Sequence, residues 1–110
     1  MEVKEREVVV SDLALRSLED IYEYGIETFA INAANIFIEE LFIKIAQLST
    51  RYDLYPECRY LITKTKIYRN LIFGSYLVIY RITATKIQVL NVLHSSRSIA
   101  TIKASKKVTI

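Results

Sequence analysis

An α+β fold is what this sequence predicts: a two-layer domain with an N-terminal strand, a helical hairpin, and a three-stranded antiparallel meander, the strands forming one sheet. Three observations predict it. Apolar residues recur at helical spacing through the first half of the chain. In the second half they alternate with a period of two. Two-residue turn signals, Gly74-Ser75 and Ala84-Thr85, cut that second half into neighbouring strands. Helices and strands that segregate along a chain pack as a hairpin on one face of a sheet, leaving the other face for water or for function. A chain of 110 residues, 52% of them hydrophobic, is expected to be one folded domain over 1–110.

Taken in order, Lys4–Ser11 reads as a strand because Val8–Val10 form a β-branched run. Ser11 or Asp12 is placed to cap the helix that follows, since either side chain accepts from free amides of a first turn. Leu13–Phe29 reads as that helix. Leu18, Ile21, Tyr22 and Gly25 fall at helical spacing, with Leu15, Leu18 and Tyr22 on a neighbouring line, and Arg16, Glu19, Asp20, Glu23 and Glu27 take the other side. Gly25 and "GIETFAIN" are expected to bend or end it. A second helix, about Ala30 to Ser49, presents Ala34, Phe37 or Ile38, Leu41, Ile45 and Leu48. Ile36 and Ile43 lie off that face, and a helix apolar over so much of its circumference is either deeply packed or has a partner; packing of the helix against both the first helix and the sheet is the expectation. Arg51–Thr65 is irregular and holds the only proline. The three strands are Ile67–Phe73, Tyr76–Thr83 and Lys86–His94, with short turns that force antiparallel pairing. The tail after Arg97, residues 98–110, reads as an edge strand or a flexible arm.

The net charge of +3 conceals a division. Residues 1–50 carry four bases against ten acids, and residues 51–110 carry eleven bases against Asp53 and Glu57. The predicted helices are therefore acidic and the predicted sheet basic, which suits a partner bearing phosphates or carboxylates. Several chemistries drop out. There is no glycine-rich phosphate loop and no nucleophile elbow. One cysteine and one histidine, far apart in the sequence, make a poor zinc site, so neither metal nor cofactor is expected. A lone Cys58 suits a reducing cytoplasm, and "MEVKEREVVV" lacks the apolar core of a signal peptide. No uncharged run approaches the roughly 20 residues a membrane helix needs, so no membrane partner is expected.

The charged residues of the sheet are the candidates for a site. Arg69, Arg81 and Arg97 bring guanidinium groups that bind phosphate or carboxylate, and His94 brings a proton-transfer group. Strand alternation puts Tyr76, Val78, Tyr80 and Ile82 on one face and Leu77, Ile79 and Arg81 on the other. On the last strand it groups Ile87, Val89, Asn91 and Leu93 against Gln88, Leu90, Val92 and His94. Antiparallel pairing sets Tyr76 near His94 and Arg69 beside Tyr80 or Arg81.

The order of elements and the series "YRNLIFGSYLVIYRITATKIQVLNVLHSSR", with "YPECRYL" and the hairpin "SDLALRSLEDIYEYGIETFAINAANIFIEELFIKIAQL" before it, resembles the RelE/ParE superfamily of toxins from type II toxin–antitoxin modules. Within it the chain is most similar to the ParE branch. The resemblance covers nearly the whole chain and implies the same fold. It implies growth arrest, and neutralisation by an antitoxin whose C-terminal segment wraps the toxin. An acidic segment of that kind would meet the basic half of this chain and bury apolar surface exposed on the toxin. For the ParE branch the implied target is DNA gyrase; for RelE-type members it is ribosome-bound mRNA, which they cut. Arg69, Arg81 and His94 match positions where ribonuclease members place basic or catalytic groups, and Arg97 matches the arginine after the ParE-type histidine. Lys64 and Lys66 join these four as candidates for contact with target or antitoxin. Ser95 and Ser96 stand after His94, near where ribonuclease members carry an aromatic, and no clear second proton-transfer group accompanies the histidine. Lys64, Lys66 or Tyr76 would have to substitute.

Overall fold

The computed structural model describes residues 4–110. Strand β1 (Glu7–Val10) leads into helices α1 (Asp12–Phe29) and α2 (Ile31–Arg51), then strands β2 (Tyr68–Phe73), β3 (Tyr76–Ile82) and β4 (Lys86–His94), and last a short helix α3 (Ile99–Ala104). The sheet order is β1-β4-β3-β2. The meander is antiparallel, and β1 returns beside β4 in parallel, with Glu7 opposite Lys86.

Ser11 fixes the start of α1. Its Oγ accepts from the Ala14 amide at 2.9 Å and donates to the Leu90 carbonyl at 2.7 Å, so one buried hydroxyl both caps the helix and ties it to β4. Helix α1 runs through Gly25 without a break. The glycine serves packing instead: a Cβ there would come within 3.2 Å of Ala34 Cβ, so its absence lets α1 and α2 close on each other. The helix ends at Ala30, a one-residue hinge held at φ 113°, ψ 160°, where side chains other than glycine's are strained.

The hairpin face of the sheet holds the larger core, with Leu41, Leu48, Leu71, Val78, Tyr80, Ile87 and Val89 buried together. Each such side chain contributes about 1.5–3 kcal/mol by leaving water. Tyr80 is fully buried, and its hydroxyl donates to the Tyr52 carbonyl at 2.7 Å. Ile36 and Ile43 are not part of this core. Both point outward, because the sheet already occupies the face of α2 that carries Leu41, Ile45 and Leu48.

Three expectations about the second half are corrected. The face away from the hairpin is not left open. Cys58 and Leu61 from the segment before β2, and Ile102 and Val108 from the tail, cover Ile79, Leu90 and Leu93 in a second core. The tail is accordingly neither a strand nor an arm. Ser98 caps α3 by accepting from the Thr101 amide, and Ile102 and Ser105 are buried beneath it. Finally, β4 does not alternate along its whole length. Asn91 pairs with Ile79 and Val89 with Tyr80, so Leu90 is an extra residue and β4 carries a bulge. Beyond the bulge the faces exchange. Val92 joins the hairpin-side core with Ile87 and Val89, and Leu93 joins Leu90 in the second core.

Candidate functional site

The bulge decides where the only histidine goes. His94 pairs with Tyr76, and the rings meet edge to face at 5.5 Å between centroids. Tyr76 continues onto Phe37 of α2 at 5.8 Å, and Phe37 onto Phe73 at 5.1 Å. Phe37, Tyr76 and His94 of this row line an open cleft of about 700 Å³ between the hairpin tip and the end of the sheet, together with Asp20, Tyr24, Phe29 and Arg97. Gly74, at φ +58°, turns the β2–β3 hairpin along the rim. The Ser95 amide donates to the Ser75 carbonyl at 2.7 Å and the Arg97 amide to the His94 carbonyl at 3.0 Å, which holds the "HSSR" turn against that hairpin.

Within the turn the Ser96 amide donates to His94 Nδ1 at 3.1 Å, with the Ser96 hydroxyl 2.6 Å from the same nitrogen. An amide that donates to Nδ1 assigns the proton of the neutral ring to Nε2. Burial pushes the Tyr76 phenol above its ordinary value of 10.0, and the neighbouring Tyr24 adds to the shift. The cleft therefore offers the Tyr76 phenol as a donor, an imidazole N–H, a guanidinium and exposed aromatic surface. Tyr24 and Phe29 are well exposed. Asp20 and Tyr24, four apart on α1, were not singled out by the sequence reading, although their i, i+4 spacing places them on one helix face.

The structure divides the six candidate residues. His94 and Arg97 share the cleft. Arg69 and Arg81 lie at the other end of β2 and β3, about 17 Å away along the strand from Tyr76 to Arg81. They also lie on opposite faces. Arg69 pairs with Tyr80 on the hairpin side and donates to the carbonyls of Lys66 and Tyr55, both at 2.8 Å, and of Asp53 at 3.4 Å. Arg81 donates to Gln88 Oε1 at 2.7 Å and to the Val108 carbonyl at 3.4 Å, with its guanidinium 5.9 Å from the Tyr68 ring centroid. Both side chains fasten irregular segments to the sheet. Lys64 and Lys66 are exposed in the loop before β2. Among the described residues no cluster of His, Cys, Asp and Glu is arranged to hold a metal, and no helix is long and apolar enough to cross a membrane.

A second concavity, about 360 Å³, lies on the outer side of the hairpin. Leu15, Tyr22, Ile38 and Phe42 line it, and Glu19 and Glu39 stand on its rim. Tyr22 donates to Asn35 Oδ1 at 2.5 Å across the two helices. Leu15 is 43% exposed and Phe42 45%, unusual for large apolar side chains on adjacent helices with nothing over them.

No curated protein sequence matches the chain. Among solved structures it is similar to a chromosomal ParDE toxin–antitoxin system from P. aeruginosa, with a TM-score of 0.69 at 13% identity over 83% of this chain and 97% of that one. It is also similar to the RelBE2 toxin–antitoxin complex from Mycobacterium tuberculosis, with a TM-score of 0.54 at 19% identity over 82% of this chain and 98% of that one. At such identities the likeness is one of fold. The family assignment comes from the sequence, whose residues 8–99 match the model for the ParE toxin of the type II toxin–antitoxin system parDE. The chain belongs to the ParE toxin family of type II toxin–antitoxin systems.

Proposed function

We propose that this toxin arrests growth by binding DNA gyrase, without bond-making chemistry of its own, and that a cognate antitoxin neutralises it. The observation that carries this reading is the separation of His94 from Arg69 and Arg81. Metal-free RNA cleavage needs a base, a phosphate clamp and an acid gathered around one ribose. Here the two strand arginines are spent on backbone carbonyls and Gln88 at the far end of the sheet. The cleft that keeps His94 is instead lined by Tyr24, Phe29, Phe37 and Tyr76 with Arg97 beside them, the aromatic-and-arginine composition of a protein-binding hot spot. Titrating the purified toxin into a gyrase supercoiling reaction tests this, and loss of supercoiling is the expected result. A folded, growth-arresting preparation that leaves gyrase untouched at high excess would rule the reading out.

The ParDE and RelBE2 relatives are toxin–antitoxin assemblies, and we assign an antitoxin partner to this chain on that analogy. The apolar surface available to it is the groove between α1 and α2, whose acidic rim suits a helix with apolar residues flanked by basic ones. The basic surface lies on the other side of the sheet. An acidic antitoxin segment reaching it would have to wrap past a sheet edge. Phe42→Glu should abolish neutralisation by the antitoxin while leaving toxicity intact, because it sets a charge inside an apolar contact.

The alternative, a ribosome-dependent mRNA endonuclease, draws on His94 and Arg97 sharing one cleft with Tyr76. Primer extension on translated mRNA with wild type and His94→Ala separates the two. Cleavage sites that vanish in the variant would favour the nuclease. Either target places the toxin in the cytoplasm.

A further inference from the structure

We infer that the face of the sheet opposite the helical hairpin binds the phosphate backbone of duplex DNA. From residue 55 to 110 the chain has ten lysines and arginines and one acid, Glu57, whose carboxylate accepts from the Thr63 amide. Four of the ten bases are placed elsewhere. Arg69 and Arg81 are hydrogen-bonded into the fold, Arg97 lines the cleft, and Lys86 pairs with Glu7 at 3.7 Å. The other six, Arg59, Lys64, Lys66, Lys103, Lys106 and Lys107, are exposed and sit on two segments that cover one face. Those segments are joined beneath by the second core, where Cys58 and Leu61 of the loop meet Ile102 and Val108 of the tail. Among the described residues the one ion pair is Lys86–Glu7, so none of the six is held in an ion pair.

A broad, uncompensated field of this kind fits a polyanion whose charges are evenly spaced. An acidic peptide fits less well, because peptides dock through side-chain anchors in pockets, and both concavities described above belong to the hairpin side. Single strands are bound by stacking bases on open rings. Here Tyr68 is buried with Arg81 and Lys106 near its ring, and Tyr60 is half-buried with Arg59 at 5.4 Å. Cations without stacking platforms match duplex backbone. The inference holds whether or not gyrase is the target, because it is read on the toxin and DNA alone. If gyrase is the target, the same face would lie against the DNA that gyrase holds.

The test is fluorescence anisotropy of a short labelled duplex of arbitrary sequence with purified toxin. Engagement of four to six phosphates gives a slope of log K against log salt of about −4 to −5, hence a loss of over ~10²-fold in affinity from about 50 to about 200 mM salt. The triple variant Lys64→Gln/Lys103→Gln/Lys107→Gln should reduce the slope by about 2–3. Arg16→Gln/Lys44→Gln, on the hairpin, should leave it unchanged. Thermal melting checks that the variants fold, and the slope for the unaltered protein tests the claim by itself. Absence of binding at low salt, a triple variant that folds and binds like wild type, or tighter binding of single-stranded RNA or polyglutamate than of duplex at equal charge would overturn it.

Discussion

On one face of the sheet two long helices bury Leu41, Leu48, Val78 and Tyr80 and turn acids and bare apolar side chains outward. On the other a loop and a six-residue helix bury Leu90, Leu93 and Ile102 and turn lysines outward. The same β3 and β4 strands serve both, since neighbouring residues look opposite ways on either side of the bulge at Leu90. The difference teaches a division of labour. The hairpin face is deep enough to stabilise the fold and still leave apolar surface for a protein partner. The thin face is held by a few apolar side chains, with Arg81 tying the tail to β3, and its covering segments carry six exposed bases against Glu57.

The largest expected effect sets one core against the other. Leu41→Ala, in the deep core, should cost about 3–4 kcal/mol of unfolding free energy. Ile102→Ala, at the margin of the thin one, should cost about 2 kcal/mol. Urea denaturation measures both, and equal losses would break the comparison. Next come the arginines. Arg69→Ala removes two 2.8 Å bonds to carbonyls and should cost about 2 kcal/mol, whereas Arg97→Ala, exposed at the cleft, should cost under about 0.5 kcal/mol. A stability loss for Arg97→Ala as large as for Arg69→Ala would mean the cleft residues are structural.

The buried phenols give a pH effect confined to the hairpin face. Burial raises Tyr80 and Tyr76 above 10.0, so the folded state holds their protons after the unfolded chain has released them. Their stabilising contribution is complete below pH 10 and is lost as pH rises from there toward the folded values. Melting temperature against pH should fall above pH 10, and less steeply in Tyr80→Phe. That variant should also lose about 1.5 kcal/mol at neutral pH, since the Tyr52 carbonyl loses its donor. The last effect is a gain: Ala30→Gly relieves the φ 113° hinge and should add about 1 kcal/mol.

Much of this was legible in the sequence because it is local. Helical spacing located α1 and α2, Ser11 or Asp12 marked the cap, and the turn at Ala84-Thr85 implied the β3–β4 pairing that sets Tyr76 against His94. What escaped is non-local. A bulge at Leu90 leaves no mark in an apolar run, yet it exchanges the faces of Val92, Leu93 and His94. The β-branched residues of "SIATIKASKKVTI" suggested a strand, while the signals that prevail, the Ser98 cap and Ile102, matter only once a bare sheet face is there to be covered. The arginines were in view from the start. Their separation depends on register and face together, which no single stretch encodes.

The central claim, that the toxin acts by contact and not by cutting RNA, is tested most directly by supercoiling with wild type and His94→Ala in parallel. The account predicts that both inhibit gyrase to within a few-fold and that neither leaves cleavage sites on translated mRNA. Gyrase unaffected by either protein, with mRNA cleavage that disappears in His94→Ala, would contradict it.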